Sequence, residues 1–273
     1  MVKIKKAMTG FCLVTIVFIS LSQTQEAHES KIRAAQNPIA DRTFFGIQNY
    51  TGFGIGPNDR VNNILNIQPV VVFPLGSSWN LTTRLILPLS YQPDIFSSSG
   101  GNFGLGDVTT AFYFNQRTYQ PFVWGIGPTF LFPTATDNAL GADKWGVGAS
   151  VIAEYNKDNW LAGIILNNTW SFAGLDNRPD INLFTMQPFI NFIIPNTNGL
   201  TVITSPVITA NWEIDDDRWT VPLGGGLGYL FQFGNWSTFL TVQGYGNVTS
   251  PAYSPDWNLI ATAQLLFPKN NIE

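Results

Sequence analysis

The residue types that most often carry enzyme chemistry are nearly missing from this chain. Its single histidine, His28, and single cysteine, Cys12, both precede every segment with strand character. Histidine is the commonest general base and a cysteine thiolate the readiest nucleophile. Their absence from residue 44 onward removes Ser-His, Asp-His and thiolate mechanisms there, together with Cys-based metal sites. His28 reads as a solvated linker residue. A carboxylate pair is the one acid-base device left, and no residue is expected to be catalytic and no cofactor to be bound.

Three ionisable residues fall on the polar faces of predicted strands: Arg84, Asp107 and Glu154. Opposed charges at a constriction would set solute preference, or the same charges would pair to fill a narrow interior; both readings stand. Asp215, Asp216 and Asp217, with Glu213, offer oxygen ligands suited to Ca²⁺ or to divalent bridging of lipopolysaccharide. They lack the spaced ligand pattern of an EF-hand, so a solvated loop is the preferred reading and no metal site is assigned. The glycines at 52, 54 and 56 and at 224, 225, 226 and 228 lack the strand-to-helix context of nucleotide loops and are expected to serve strand bends.

Only 12% of the 273 residues are charged, and the formal net charge of -4 offers no basic field for a phosphate backbone, so nucleic acid is excluded as a partner. One domain is expected. Lys3, Lys5 and Lys6 precede an apolar run from Phe11 to Leu21 and the small residues Ser20 and Ser22. That order is a secretory signal, and the run is short of the ~20 residues a spanning helix needs. The expected division is a cleaved signal peptide at 1–22, a periplasmic segment at 23–43 able to enter the lumen as a plug, and a β-barrel at 44–273. Thr9, Gly10 and Phe11 ahead of Cys12 do not form a lipoprotein cleavage box, so the mature chain is cysteine-free.

What positions the candidate residues is a series of alternating segments, about 12 in number, each near the length of a tilted membrane-crossing strand. They are placed at 44–56, 61–74, 79–92, 107–115, 121–133, 145–155, 160–171, 181–194, 200–212, 219–233, 236–248 and 257–267. Tight connections at 75–78, 116–120, 156–159, 195–199 and 234–235 alternate with longer ones at 93–106, 134–144, 172–180, 213–218 and 249–256. Only 57–60, among the connections on the long side, is short. This is the pattern of an all-β, closed, antiparallel up-and-down transmembrane barrel, with turns on the periplasmic side and loops outside.

The tryptophans give a separate test, since indole rings favour membrane interfaces and should face lipid. Trp79, Trp124, Trp145, Trp160, Trp170, Trp212, Trp219, Trp236 and Trp257 lie at or near strand ends and share parity with the apolar face of their strands. They form the expected membrane girdle. The opposite faces carry Asn66, Gln68, Thr82, Gln187, Asn191, Thr201, Thr241 and Gln243, a polar lining. Pro69, Pro88, Pro128, Pro188, Pro206 and Pro222 fall inside strands, where a missing ladder donor predicts bulges or bends.

Several phrases resemble a family of bacterial outer-membrane barrels labelled "MetA-pathway of phenol degradation" or transporter-like, some members of which carry the label "neuromedin U". They are NPIAD at 37–41, NIQPV at 66–70, GLGD at 104–107, GPTFLFPTAT at 127–136, NTWSFAG at 168–174, SPVITANWE at 205–213 and WTVPLGGGLG at 219–228. The segment ending at Phe267 is similar to the terminal strand read by the barrel-assembly machinery. The resemblance implies an outer-membrane location, with lipid and lipopolysaccharide as surroundings, and hints at apolar or aromatic solutes.

Size bounds the lumen: eight strands are filled by side chains and sixteen to eighteen leave an open channel, so about 12 enclose a narrow or partly plugged passage. The expected function is passive passage of a small solute. The alternative is a structural or adhesive barrel with a closed lumen and partner-binding loops.

Overall fold

A computed structural model describes residues 32, 37–39, 42–118, 120–197, 199–233 and 236–267. The stretch read as a signal peptide at 1–22, with Cys12, and His28 and most of 23–43 lie outside these residues. The strands are β1 (Phe44–Ile55), β2 (Arg60–Leu75), β3 (Trp79–Pro93), β4 (Gly101–Leu105), β5 (Val108–Gln116), β6 (Phe122–Phe132) and β7 (Lys144–Lys157). They continue as β8 (Trp160–Gly174), β9 (Asn182–Ile193), β10 (Thr201–Thr204), β11 (Ile208–Asn211), β12 (Trp219–Phe233), β13 (Trp236–Thr249) and β14 (Trp257–Leu266).

All pairings are antiparallel, consecutive strands pair except β4 with β5 and β10 with β11, and β14 closes on β1 from Phe44 opposite Leu266 to Phe53 opposite Trp257. β4 and β5 lie end to end along β3, and β10 and β11 lie end to end between β9 and β12. The strands therefore occupy the positions of a closed 12-strand antiparallel barrel. Among the described residues, closure pairs the main path of strands on both sides and leaves an edge only along β4, which pairs with β3 alone.

Alternation sorts the side chains. Leu223, Leu227 and Val242 face outward and are more than half exposed, whereas Gln68, Asn80, Thr82, Asn115, Thr201 and Gln243 face inward and are buried. A soluble sandwich would show the reverse. The tryptophans separate into two outward belts. Trp79, Trp124, Trp160 and Trp236 stand at the end of the short turns, and Trp145, Trp170, Trp212, Trp219 and Trp257 at the end of the long loops. Each belt is knitted by ring contacts, such as Trp79 on Trp124 at 6.2 Å and Trp212 on Trp219 at 5.6 Å. From Trp160 to Trp170 along β8 is about 33 Å at the usual rise per residue, or about 25 Å across the barrel wall at a tilt of ~40°.

Two expectations about the strands are corrected. The connection read as 93–106 is shorter, because β4 pairs with β3 from Pro93 opposite Gly101 to Leu89 opposite Leu105. Between β4 and β5 the register on β3 slips by one residue, which places a bulge at Gly106 and Asp107, across from Pro88, whose carbonyl accepts from the Gly106 N–H at 2.8 Å. The prolines also produce fewer bulges than predicted. Pro69, Pro128 and Pro188 sit in unshifted register with a neighbouring strand, and Pro206 interrupts pairing between β10 and β11 without moving it. The pairing records a bulge at Pro222, where β12 shifts against β13. A proline removes a single donor, and the ladders on either side hold the register across the gap.

Gly54 and Gly56 have φ of 75° and 65°, bending the chain between β1 and β2 as expected for glycine. Gly228 faces inward on β12, where a Cβ would lie 2.6 Å from Phe239 Cζ and 2.7 Å from Ile203 Cδ1. Its missing side chain is what lets those two apolar groups meet.

Candidate functional site: a lumen with a polar vestibule and an apolar floor

The half of the lumen nearest the long loops holds a cavity of about 640 Å³, in the size range of small-molecule sites. The half nearest the short turns is filled by two apolar clusters. In one, Ile32 packs among Ile193, Ile203, Leu230, Phe239 and Leu266; in the other, Ile39 packs among Tyr113, Ile152, Leu161, Ile165 and Phe189. Apart from Ile32 and Ile39 these are inward-facing residues of the wall. Both isoleucines are at most 2% exposed. The segment ahead of β1 thus contributes side chains to the floor of the lumen.

The vestibule wall is held by hydrogen bonds that run from strand to strand. Arg84 Nη2 on β3 donates to Gln68 Oε1 on β2 at 2.9 Å, Gln68 Nε2 donates to Gln48 Oε1 on β1 at 3.2 Å, and Gln48 Nε2 donates to Thr262 Oγ1 on β14 at 3.4 Å. On the adjoining stretch of wall Ser205 Oγ and Tyr245 Oη both donate to Gln243 Oε1, at 3.1 and 2.7 Å. The Ser205 N–H, freed from the ladder beside Pro206, donates to Tyr245 Oη at 2.7 Å. Tyr113 Oη and Ser150 Oγ are bonded at 2.8 Å. Such chains keep amide and hydroxyl groups satisfied where water is scarce.

The three ionisable candidates have different surroundings. Arg84 lines the cavity, and among the described residues its side-chain partner is the neutral Gln68. Asp107 also lines the cavity, at the bulge, but its two carboxylate oxygens accept backbone N–H bonds from Ala135 at 3.1 Å and Ala142 at 2.7 Å. It pins the 133–143 loop over the mouth. Glu154 faces inward one pleat beyond Ile152, toward the short turns; it is 1% exposed, and among the described residues neither oxygen accepts a hydrogen bond. The structure does not bring these three charges together.

The loops are fastened by contacts that alternation does not reveal. Lys144 Nζ donates to Asp180 Oδ1 at 2.9 Å, and Arg178 Nε lies 3.2 Å from Asp143 Oδ2, tying the 133–143 loop to the 175–181 loop. Arg178 Nη2 also donates to the carbonyls of Asn138 and Gly141. The Lys144 ammonium and the Ser171 hydroxyl, by hydrogen bonding, hold the Asp180 carboxyl below its ordinary range. The acidic run forms a turn: Arg218 Nη2 donates to the Asp215 carbonyl at 2.8 Å, and its guanidinium lies 5.7 Å from the centre of the Trp212 ring. Among the described residues no three His, Cys, Asp or Glu side chains are placed to hold a metal ion.

Closed antiparallel barrels with an apolar exterior and a polar vestibule define the class to which this fold belongs. The chain is similar in structure to an outer membrane channel of the COG4313 group from Pseudomonas putida F1, with a TM-score of 0.64 and 16% identity over 83% of this chain and 96% of that one. A weaker likeness is to the NanC porin, with a TM-score of 0.49 and 10% identity over 82% of this chain and 98% of that one. No family model and no curated protein matches the sequence.

Proposed function

We propose that this protein is a passive channel of the bacterial outer membrane for small, apolar or aromatic solutes, exported by a cleaved signal peptide. The observation that carries the reading is the two-part lumen: a vestibule of about 640 Å³ under the loops, above a floor completed by Ile32 and Ile39. Those two side chains belong to the segment before β1 and not to the barrel wall, so the part of the floor they supply is removable without breaking a strand. The segment is a plug, and passage requires its displacement.

The outer face supports the location. Its two tryptophan belts, about 25 Å apart, match the apolar band of an outer-membrane barrel, with lipid against the band and lipopolysaccharide at the loop end. The barrel-assembly machinery would read the last strand, in which Trp257, Leu259, Leu265 and Phe267 face outward. The structurally similar Pseudomonas putida protein is an outer membrane channel, and the phrases shared with the phenol-degradation family favour an apolar or aromatic solute.

The filled floor is also what a structural barrel with a closed lumen would have. Planar-bilayer recordings separate the two readings. Ile39→Asp, refolded to native heat-modifiable mobility, is expected to conduct more than wild type; unchanged conductance would favour the structural barrel.

A further inference from the structure

We propose that Arg84 is the anchor of a solute-binding site in the vestibule, and that the solute it takes is a monocarboxylate with an apolar body. This rests on the channel reading and names the chemistry of what enters. A guanidinium carries five N–H donors. Among the described residues Arg84 spends one, Nη2, on Gln68 Oε1 at 2.9 Å, and forms no ion pair. Gln68 is fixed in turn by its bond to Gln48, so its oxygen is turned toward Arg84 and the pair is preorganised. On the other side of Arg84 its partner in register is Ala111, too short to reach the guanidinium.

Among the described residues no other charge in the vestibule neutralises it. The Asp107 carboxylate is occupied by the Ala135 and Ala142 amides, and Glu154 does not line the cavity. A cation with free donors inside a confined cavity attracts an anion, and carboxylate is the group that matches the guanidinium fork in bidentate geometry. A single guanidinium balances a single charge, while Asp107 at the mouth disfavours a second. The cavity that Arg84 lines is also lined by Ile64, Ile86, Leu131, Ile165 and Ile260, which gives an apolar body somewhere to go.

The test is binding to the full barrel, refolded in detergent, by equilibrium dialysis with benzoate, benzyl alcohol and benzylamine as probes. Benzoate is expected to bind at least about tenfold tighter than benzyl alcohol, a charge-assisted hydrogen bond being worth about 1.5–3 kcal/mol. Arg84→Gln should abolish that preference and Arg84→Lys should keep part of it. Wild-type protein supplies a second arm in case the variants do not fold: benzoate affinity should fall once the probe's own carboxyl is protonated, with benzyl alcohol unaffected. Equal affinities, tighter benzylamine, or a preference that survives Arg84→Gln would overturn the site. The readout needs no membrane, so a barrel that prefers benzoate yet never conducts sinks the channel reading alone, and one that conducts without preference sinks the site alone.

Discussion

Ile39, five residues ahead of the first strand, shares an apolar cluster with Phe189, which points inward from β9 on the far side of the sequence. Contact between residues that are not part of the sheet and the inner face of the wall is what makes their share of the floor separable. Truncating a buried Ile to Ala costs about 2–5 kcal/mol. Ile39→Ala should therefore raise the undocked population by about 30-fold or more, with the barrel intact. Cleavage of the segment by a protease added to the short-turn side checks this; equal cleavage in wild type and variant would count against docking.

Gly228 predicts a difference between two glycines of one sheet. Gly228→Val pushes a side chain into Phe239 and Ile203, and should destabilise the barrel by about 1–3 kcal/mol. Gly244→Val, at an outward position with nothing within 4 Å, should leave stability near wild type. Urea unfolding in lipid bilayers measures both, and equal effects would contradict the inward assignment of β12.

How far the molecule was legible in its sequence differs between wall and lumen. Trp79 and Leu81 through Leu89 announce the outer face of β3 because period-two alternation is fixed by backbone geometry and survives wherever one face meets an apolar medium. β4 escaped notice because Gly101–Leu105 offers only Phe103 and Leu105 to that pattern, and the bulge at Gly106 and Asp107 then reverses parity. Arg84 was legible as a cation on a polar face, but the engagement of Asp107 with the Ala135 and Ala142 amides depends on where a loop folds back. Ile32 and Ile39 are lone large aliphatic residues in their stretch, so no period marks them. The prolines misled because a lost donor is a local defect, whereas register is held by the whole ladder.

The loop fastening is pH dependent. Asp180 has its carboxyl held below the ordinary range by Lys144, so this contact is fully present above the unfolded carboxylate pKa and is lost as pH falls through the lower folded value. Amide exchange in the 133–143 and 175–181 loops should accelerate, after correction for intrinsic pH effects, only in strongly acidic solution. Arg178→Ala should produce the same loosening at neutral pH while the strands stay protected. Loops that stay protected in both cases would contradict the fastening.

The two tryptophan belts predict a depth profile. Fluorescence of the refolded protein in bilayers should be quenched most by lipids brominated near the interface and least by those brominated at the acyl-chain ends. Maximal quenching at the bilayer centre would remove the belts from the interfaces.

Planar-bilayer conductance of wild type beside Ile39→Asp tests the central claim most directly. A plug held by two isoleucines predicts rare, small openings in wild type and several-fold more open time in the variant. Matching silence from both, with the variant folded and inserted, would mean that the lumen is closed by the barrel itself and that no channel exists.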